Sequence, residues 1–255
     1  MVVGLDVFRL AFAGFENQYA LIGGAATEAH LEAAGLEFRA TKDLDIVLCL
    51  EALTPEFVAA LWAFIEAGGY ETREQSDGAR QFYRFSRPTD PRYPAMLELF
   101  SRRPEVISLP KGARYSPIPT DGSVESLSAM LLDDNYYALL QGGMTRVEDV
   151  SVLDVQTLIV FKAYAYNNLA RDRAAGGNVS SRNVTKHRSD VFKLLQLVPA
   201  ALTMQLPEAV RADVQAFVTA VRQDEGFDPK ALNLRSDKPT LLGRLAEIYG
   251  VSADG

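Results

Sequence analysis

The stretch "LIGGAATEAHLEAAGLEFRATKDLDIVL", residues 21–48, decides how the rest of the chain is read. An apolar run, "YALIG", reads as a short buried strand that ends in Gly23-Gly24. "AATEAHLEAAG" is rich in helix formers and closes on Gly35, a C-cap signal. The next β-rich run, "KDLDIVLCL", carries Asp43 and Asp45. Carboxylates inside a strand are costly to bury without a partner. Side chains alternate along a strand, so Asp43 and Asp45 share one face while Leu44, Ile46 and Leu48 share the other. Two carboxylates spaced about 6–7 Å at Cα can share one hard cation, or bridge two, through oxygen ligands. A cation there also offsets the cost of holding like charges together. Taken alone, the Asp-x-Asp pair reads first as a strand end with two solvated aspartates.

Gly23 and Gly24 change that balance. They lie where a strand hands over to a helix, and backbone N–H groups at a helix N-terminus, with no Cβ in the way, suit a phosphate. A phosphate cradle and a cation-binding strand separated by one helix describe a nucleoside-triphosphate site. On these residues the stretch resembles the Gly-Gly/Ser…Asp-x-Asp signature of the DNA polymerase β-type nucleotidyltransferases. The form Arg39-x-Thr41-x-Asp43-Leu44-Asp45 is similar to the AbiEii-type branch, whose members include toxins of abortive-infection toxin–antitoxin systems. The resemblance implies a third carboxylate on a later strand, matched by Glu98 in "MLELF", a Glu where Asp is more usual. It also implies a helical lysine, matched by Lys162 in "VSVLDVQTLIVFKAYA", and a basic helix start, "KHRSDVFKLL", with Lys186, Arg188 and Asp190. It runs from about residue 19 to 198.

The fold implied by the resemblance is α+β, with a nucleotidyltransferase-type mixed sheet and helices over residues 1–150 and a helical region over 151–255. The implied activity is transfer of NMP from an NTP to an acceptor hydroxyl. Two Mg²⁺ ions clamp the attacking and leaving oxygens of such a reaction. Asp43, Asp45 and Glu98 are the expected ligands, with Asp45 and Glu98 around the ion that activates the nucleophile. Gly23 and Gly24 are expected at the β- and γ-phosphates. Arg39, Thr41, Lys162, Lys186 and Arg188 complete the nucleotide field, and Asp190 is expected to orient one of the basic side chains Arg39, Lys186 and Arg188.

The acceptor classes left open are tRNA or another RNA, for a toxin-like enzyme with an antitoxin partner, and a small aminoglycoside-type hydroxyl. A protein that binds nucleotide without transferring it is the non-enzymatic alternative, against which three retained carboxylates argue. The net charge of −7 opposes indiscriminate nucleic-acid binding and suits a cationic acceptor. Yet residues 79–114 carry +5 and residues 171–193 carry +4, two basic islands fit for a polyanion. Phe82, Tyr83, Phe85 and Tyr93 in the first island are candidates to stack bases, or alternating core residues.

Other chemistries are absent from the sequence. It has neither a G-x-x-x-x-G-K-[ST] loop nor a G-x-G-x-x-G turn. Only His30 and His187 are available to a zinc site; His30 is expected to pack on its helix and His187 to be solvated or near phosphate. The single cysteine, Cys49, rules out an intramolecular disulfide, fits a reducing, cytoplasmic setting and is expected to be buried. No apolar run approaches the roughly 20 residues of a membrane span, and the N-terminus lacks the basic start of a signal peptide.

Along the chain, Leu5, Phe8 and Phe12 sit at helical spacing. "TPEFVAALWAFIEAGGY" reads as a helix with Thr54 as N-cap, Pro55 at its first position and Gly68-Gly69 at its end. "QFYRFSRP", "AMLELF" and "NYYALL" read as strands, with the Pro/Gly-bearing "LPKGARYSPIPTDG" between the last two. After residue 149 the periods are helical, interrupted by a polar loop, "RAAGGNVSSRN".

Overall fold

A computed structural model describes residues 2–39, 41–49, 52–71, 82–100 and 133–253, with backbone alone for Phe82 and Tyr83. The described residues fall in two compact units, one within the bounds Met1–Pro119 and Leu140–Asp154, the other within Thr120–Leu139 and Val155–Gly255. The expected mixed sheet with helices, and the helical C-terminal region, are both present.

The first unit contains α1 (Leu5–Ala11), β1 (Tyr19–Ile22), α2 (Gly23–Ala33), β2 (Asp43–Leu48), α3 (Pro55–Gly68), β3 (Phe82–Ser86), β4 (Met96–Phe100), β5 (Met144–Val147) and β6 (Val150–Leu153). Among the described residues, six strands form one sheet in the order β3-β4-β2-β1-β6-β5. The central pairings alternate in sense: β2 is antiparallel to β1 and parallel to β4, and β1 is parallel to β6. One face is closed by an aromatic cluster. The Tyr19 ring meets Phe8 and Phe12 of the α1 segment and Phe57 of α3, while Trp62 of α3 stands edge-on to Phe85. Phe8, Phe12, Tyr19, Phe57 and Phe85 are all essentially inaccessible. By strand alternation this is the face of Tyr19, Leu21, Leu44 and Ile46, and the two aspartates lie on the other.

Helix ends in this unit follow the local rules. The Thr54 hydroxyl accepts from the Phe57 N–H at the start of α3, and Gly69 ends the helix in the left-handed region at φ 60. The β5–β6 hairpin is not announced by the sequence. Its two-residue turn, Glu148-Asp149, has both residues at positive φ (48 and 64). That is the backbone of a type I′ turn, usually signalled by Asn-Gly; here neither residue gives that signal. The hairpin carries the sheet to Leu153, beyond the change of character seen at 149.

The second unit is helical: α5 (Val155–Ala174), α6 (Ser181–Leu195), α7 (Glu208–Gln223), a 3-10 turn (Pro229–Leu232) and α8 (Lys238–Tyr249). "NYYALL" is corrected from strand to helix, α4 (Asp134–Gly142). Asp133 Oδ1 accepts from the N–H groups of Asn135 and Tyr136, and this cap outweighs the strand preference of paired tyrosines. The polar loop is also shorter than its composition suggests. Ser180 caps α6 by accepting from Asn183 N–H at 3.2 Å, so Ser181-Arg182-Asn183 are helical. The "LPKGARYSPIPTDG" stretch falls outside the described residues. No helix among the described residues is long and apolar enough to cross a membrane.

Candidate functional site

The carboxylates are brought together by strand register. Parallel pairing of β2 with β4 sets Asp45 beside Glu98 and Asp43 beside Met96. Antiparallel pairing sets Ile22 beside Asp45, and Arg84 of β3 beside Glu98. Paired residues share a face, so Ile22, Asp45, Glu98 and Arg84 form one row across four strands, with Asp43 two residues along. Asp43 and Asp45 are half-buried, and Glu98 is buried.

Gly23 and Gly24 fit tightly against β2 and the residue that leads into it. Gly23 has φ +65, and a Cβ there would lie 1.8 Å from Asp45 Oδ2. A Cβ on Gly24 would stand 3.0 Å from Thr41 Cγ2 and 3.1 Å from Thr41 Oγ1. The glycines therefore serve first as the space in which Thr41 and Asp45 sit against the start of α2. Thr41 is fixed by its backbone: its N–H donates to Glu28 Oε2 at 3.1 Å, and Glu28 is buried on α2. Thr27 ties the same turn by donating its hydroxyl to the Gly23 carbonyl at 2.8 Å. The Thr41 hydroxyl is buried and has no hydrogen-bond partner among the described residues. An orphaned hydroxyl at a helix N-terminus invites an oxygen-bearing ligand.

Glu98 already carries a cation. Arg84 donates from Nε to Glu98 Oε1 at 2.6 Å, and Nη2 of the same guanidinium pairs with the same oxygen. Among the described residues, no group of three or more His, Cys, Asp or Glu side chains is arranged to hold a metal ion. The expected carboxylate triad is thus present as a row on one face, not as a closed ligand shell. Neither Arg84 nor Glu28 stands out in the sequence. Arg84 alternates with aromatics in "FYRFS", a pattern that marks a strand without naming the partner strand.

The later basic residues lie in the second unit. Lys162 of α5 donates to Asp190 of α6 at 2.8 Å, with side-chain exposures of only 4% and 2%. Arg188 pairs with Asp224 and lies over the Phe227 ring, 4.8 Å from its centroid. Lys186 is half-buried on α6. Arg39 is exposed in the loop before β2, with its guanidinium 4.7 Å from the neighbouring Phe38 ring.

Two of the four candidate base-stacking aromatics are accounted for by packing. Phe85 is fully buried against Trp62, and the Tyr93 ring lies between Phe64 (4.8 Å) and Tyr70 (6.3 Å). The side chains of Phe82 and Tyr83 fall outside the described residues. His30 Nε2 lies 2.6 Å from the Leu153 carbonyl oxygen, which joins α2 to β6. Burial holds the His30 imidazole below its ordinary pKa, opposed by the Leu153 carbonyl and by Asp154. Cys49 is buried, with Sγ 3.4 Å from Met144 Sδ.

No protein-family model and no curated protein matches this chain. Among solved structures, it is similar to the crystal structure of an antigenic nucleotidyltransferase-like protein from Paracoccidioides brasiliensis. That match has a TM-score of 0.48 and 16% identity, covering 95% of this chain and 90% of that one. It is also similar to the solution structure of the antibiotic-resistance factor ANT(2'')-Ia, with a TM-score of 0.40 and 14% identity, covering 86% of this chain and 92% of that one.

Proposed function

We propose that the chain is a Mg²⁺-dependent nucleotidyltransferase that moves NMP from an NTP to an acceptor hydroxyl. The observation that carries this reading is the row of Asp45 and Glu98 across β2 and β4, with Asp43 on the same face and the Gly23-Gly24 turn pressed against Asp45 and Thr41.

The donor set suits Mg²⁺: three carboxylates are hard oxygen ligands, and Asp43 and Asp45 are half-exposed. Asp43, Asp45 and Glu98 would hold it, with Glu98 sharing its charge with Arg84. Bound there, the ions would supply the positive charge that favours an ionised acceptor hydroxyl and takes up charge on departing pyrophosphate. The chain's own contributions are positional. The Thr41 hydroxyl and the backbone N–H groups at the start of α2 offer hydrogen bonds to phosphate oxygens. Glu28 keeps Thr41 in place by accepting from its N–H. Catalysis of this kind is largely orientation and electrostatics, so every donor must stand in its place before substrate arrives. Lys162, Lys186, Arg188 and Arg39 are assigned to the phosphate field from the resemblance alone. Lys162 and Arg188 already have carboxylate partners in Asp190 and Asp224.

The acceptor we favour is RNA, with tRNA as the first candidate, in an AbiEii-type, toxin-like enzyme of the cytoplasm with an antitoxin partner. Exposed Arg171, Arg173 and Arg182, at the facing ends of α5 and α6, support it. The net charge of −7 favours the second reading, a cationic aminoglycoside-type acceptor. Incubation with Mg²⁺, each α-labelled NTP and total tRNA, then with aminoglycosides in place of tRNA, separates the two. Label on RNA is expected; label on drug selects the second reading, and NTP binding with no label on either removes both.

A further inference from the structure

The contact between Arg84 and Glu98 is asymmetric. A guanidinium facing a carboxylate usually pairs as a fork, one N–H to each oxygen. Here Nε and Nη2 of Arg84 both converge on Oε1, and Oε2 accepts no hydrogen bond from any described residue. The pair is largely out of water, with side chains 17% and 10% exposed, so it is stiffer than a surface ion pair. Both ends are also anchored by backbone, because β3 and β4 set Arg84 and Glu98 directly opposite each other.

We propose that Arg84 is a positioning residue: by taking Oε1 it fixes the Glu98 carboxylate in the Asp45 row and leaves Oε2 as the oxygen that Glu98 offers to a divalent cation. The proposal rests on the nucleotidyltransferase reading above. Glutamate is among the side chains that lose most rotamer freedom on being fixed, and Arg84 imposes that loss before the cation arrives. The arginine charge opposes a cation nearby, but Oε1 already balances it. Preorganisation therefore outweighs repulsion.

The test is Mn²⁺ binding without nucleotide, followed by electron paramagnetic resonance, with thermal unfolding measured alongside. Arg84→Gln is expected to weaken Mn²⁺ binding about tenfold, and Arg84→Lys, which keeps the charge, to recover most of it. Arg87→Gln removes a nearby charge from the exposed pair with Glu71 and is expected to match wild type. Unchanged or tighter binding by folded Arg84→Gln overturns the proposal, since Arg84 is then a bystander or a competitor. Should Arg84→Gln not fold, Arg84→Gln/Glu98→Gln is compared with Glu98→Gln alone. Equal Mn²⁺ affinities are expected, because without the carboxylate Arg84 has nothing to position, and unequal affinities overturn it. Wild type that fails to take up Mn²⁺ sinks the nucleotidyltransferase reading and the proposal together. That outcome is distinct from a wild type that binds and a variant that binds equally well.

Discussion

The molecule holds two kinds of buried charge. In the sheet unit, Arg84 and Glu98 pair through one carboxylate oxygen, in a row with half-exposed Asp45 and next to an orphaned Thr41 hydroxyl. In the helical unit, Lys162 and Asp190 close on each other with almost no exposed surface. The first arrangement keeps two carboxylates, Asp43 and Asp45, partly exposed on one face of the sheet; the second resembles a packing pair whose charges satisfy each other. A buried pair of that second kind is weak evidence for function, because breaking it destabilises whatever its purpose. The sequence motif treats Asp45, Glu98, Lys162 and Asp190 alike, and exposure sets half-buried Asp45 apart from the other three.

Four substitutions break or sharpen the contrast, the largest effect first. Asp45→Asn keeps the shape and removes a carboxylate charge from the row; transfer should fall by at least roughly a thousandfold with thermal unfolding little changed. Transfer at the wild-type rate by that variant would remove the mechanism. Lys162→Met leaves Asp190 buried without its cation and should cost about 3–5 kcal/mol in denaturant unfolding. Adding Asp190→Leu should restore most of that loss. If Lys162→Met instead abolishes transfer at unchanged stability, the helical pair works on substrate and the contrast fails.

Gly23→Ala comes third. A methyl group 1.8 Å from Asp45 Oδ2, at φ +65, must displace the aspartate or strain the turn, at a cost of roughly 1–3 kcal/mol. The same change should weaken Mn²⁺ binding, and a variant that keeps both stability and affinity would mean that the close approach of Gly23 to Asp45 is incidental. The smallest effect concerns His30, whose folded pKa burial holds down. Below the unfolded value of about 6.5 the unfolded chain takes up a proton that the folded chain resists, so its share of stability is complete above that pH and lost as pH falls. Urea unfolding from pH 7 to 5 should therefore decline less steeply in His30→Gln than in wild type; equal slopes would mean that His30 does not couple to folding.

Legibility in the sequence depended on how local each signal was. The Thr54-Pro55 start and Gly69 end of α3 are read within a few residues, and the structure forms them as expected. The alternation of β2 put Asp43 and Asp45 on one face from six residues alone. The partner of Glu98 was not legible, because a strand arginine names its neighbour only once β3 is registered against β4. Glu28 was hidden for the same reason: it meets Thr41 across a helix and a loop. The β5–β6 hairpin escaped because Glu148-Asp149 make a turn that usually advertises itself with glycine or asparagine. "NYYALL" misled because tyrosines favour strands, while the decisive signal was the cap at Asp133.

The most direct test is an anomalous-difference map from crystals grown with Mn²⁺ and a non-hydrolysable NTP analogue. The account predicts manganese density bound by Asp43 and Asp45, with Glu98 Oε2 within ligand distance and the triphosphate at the start of α2. Manganese and nucleotide bound elsewhere, with Glu98 still turned wholly to Arg84, would contradict it.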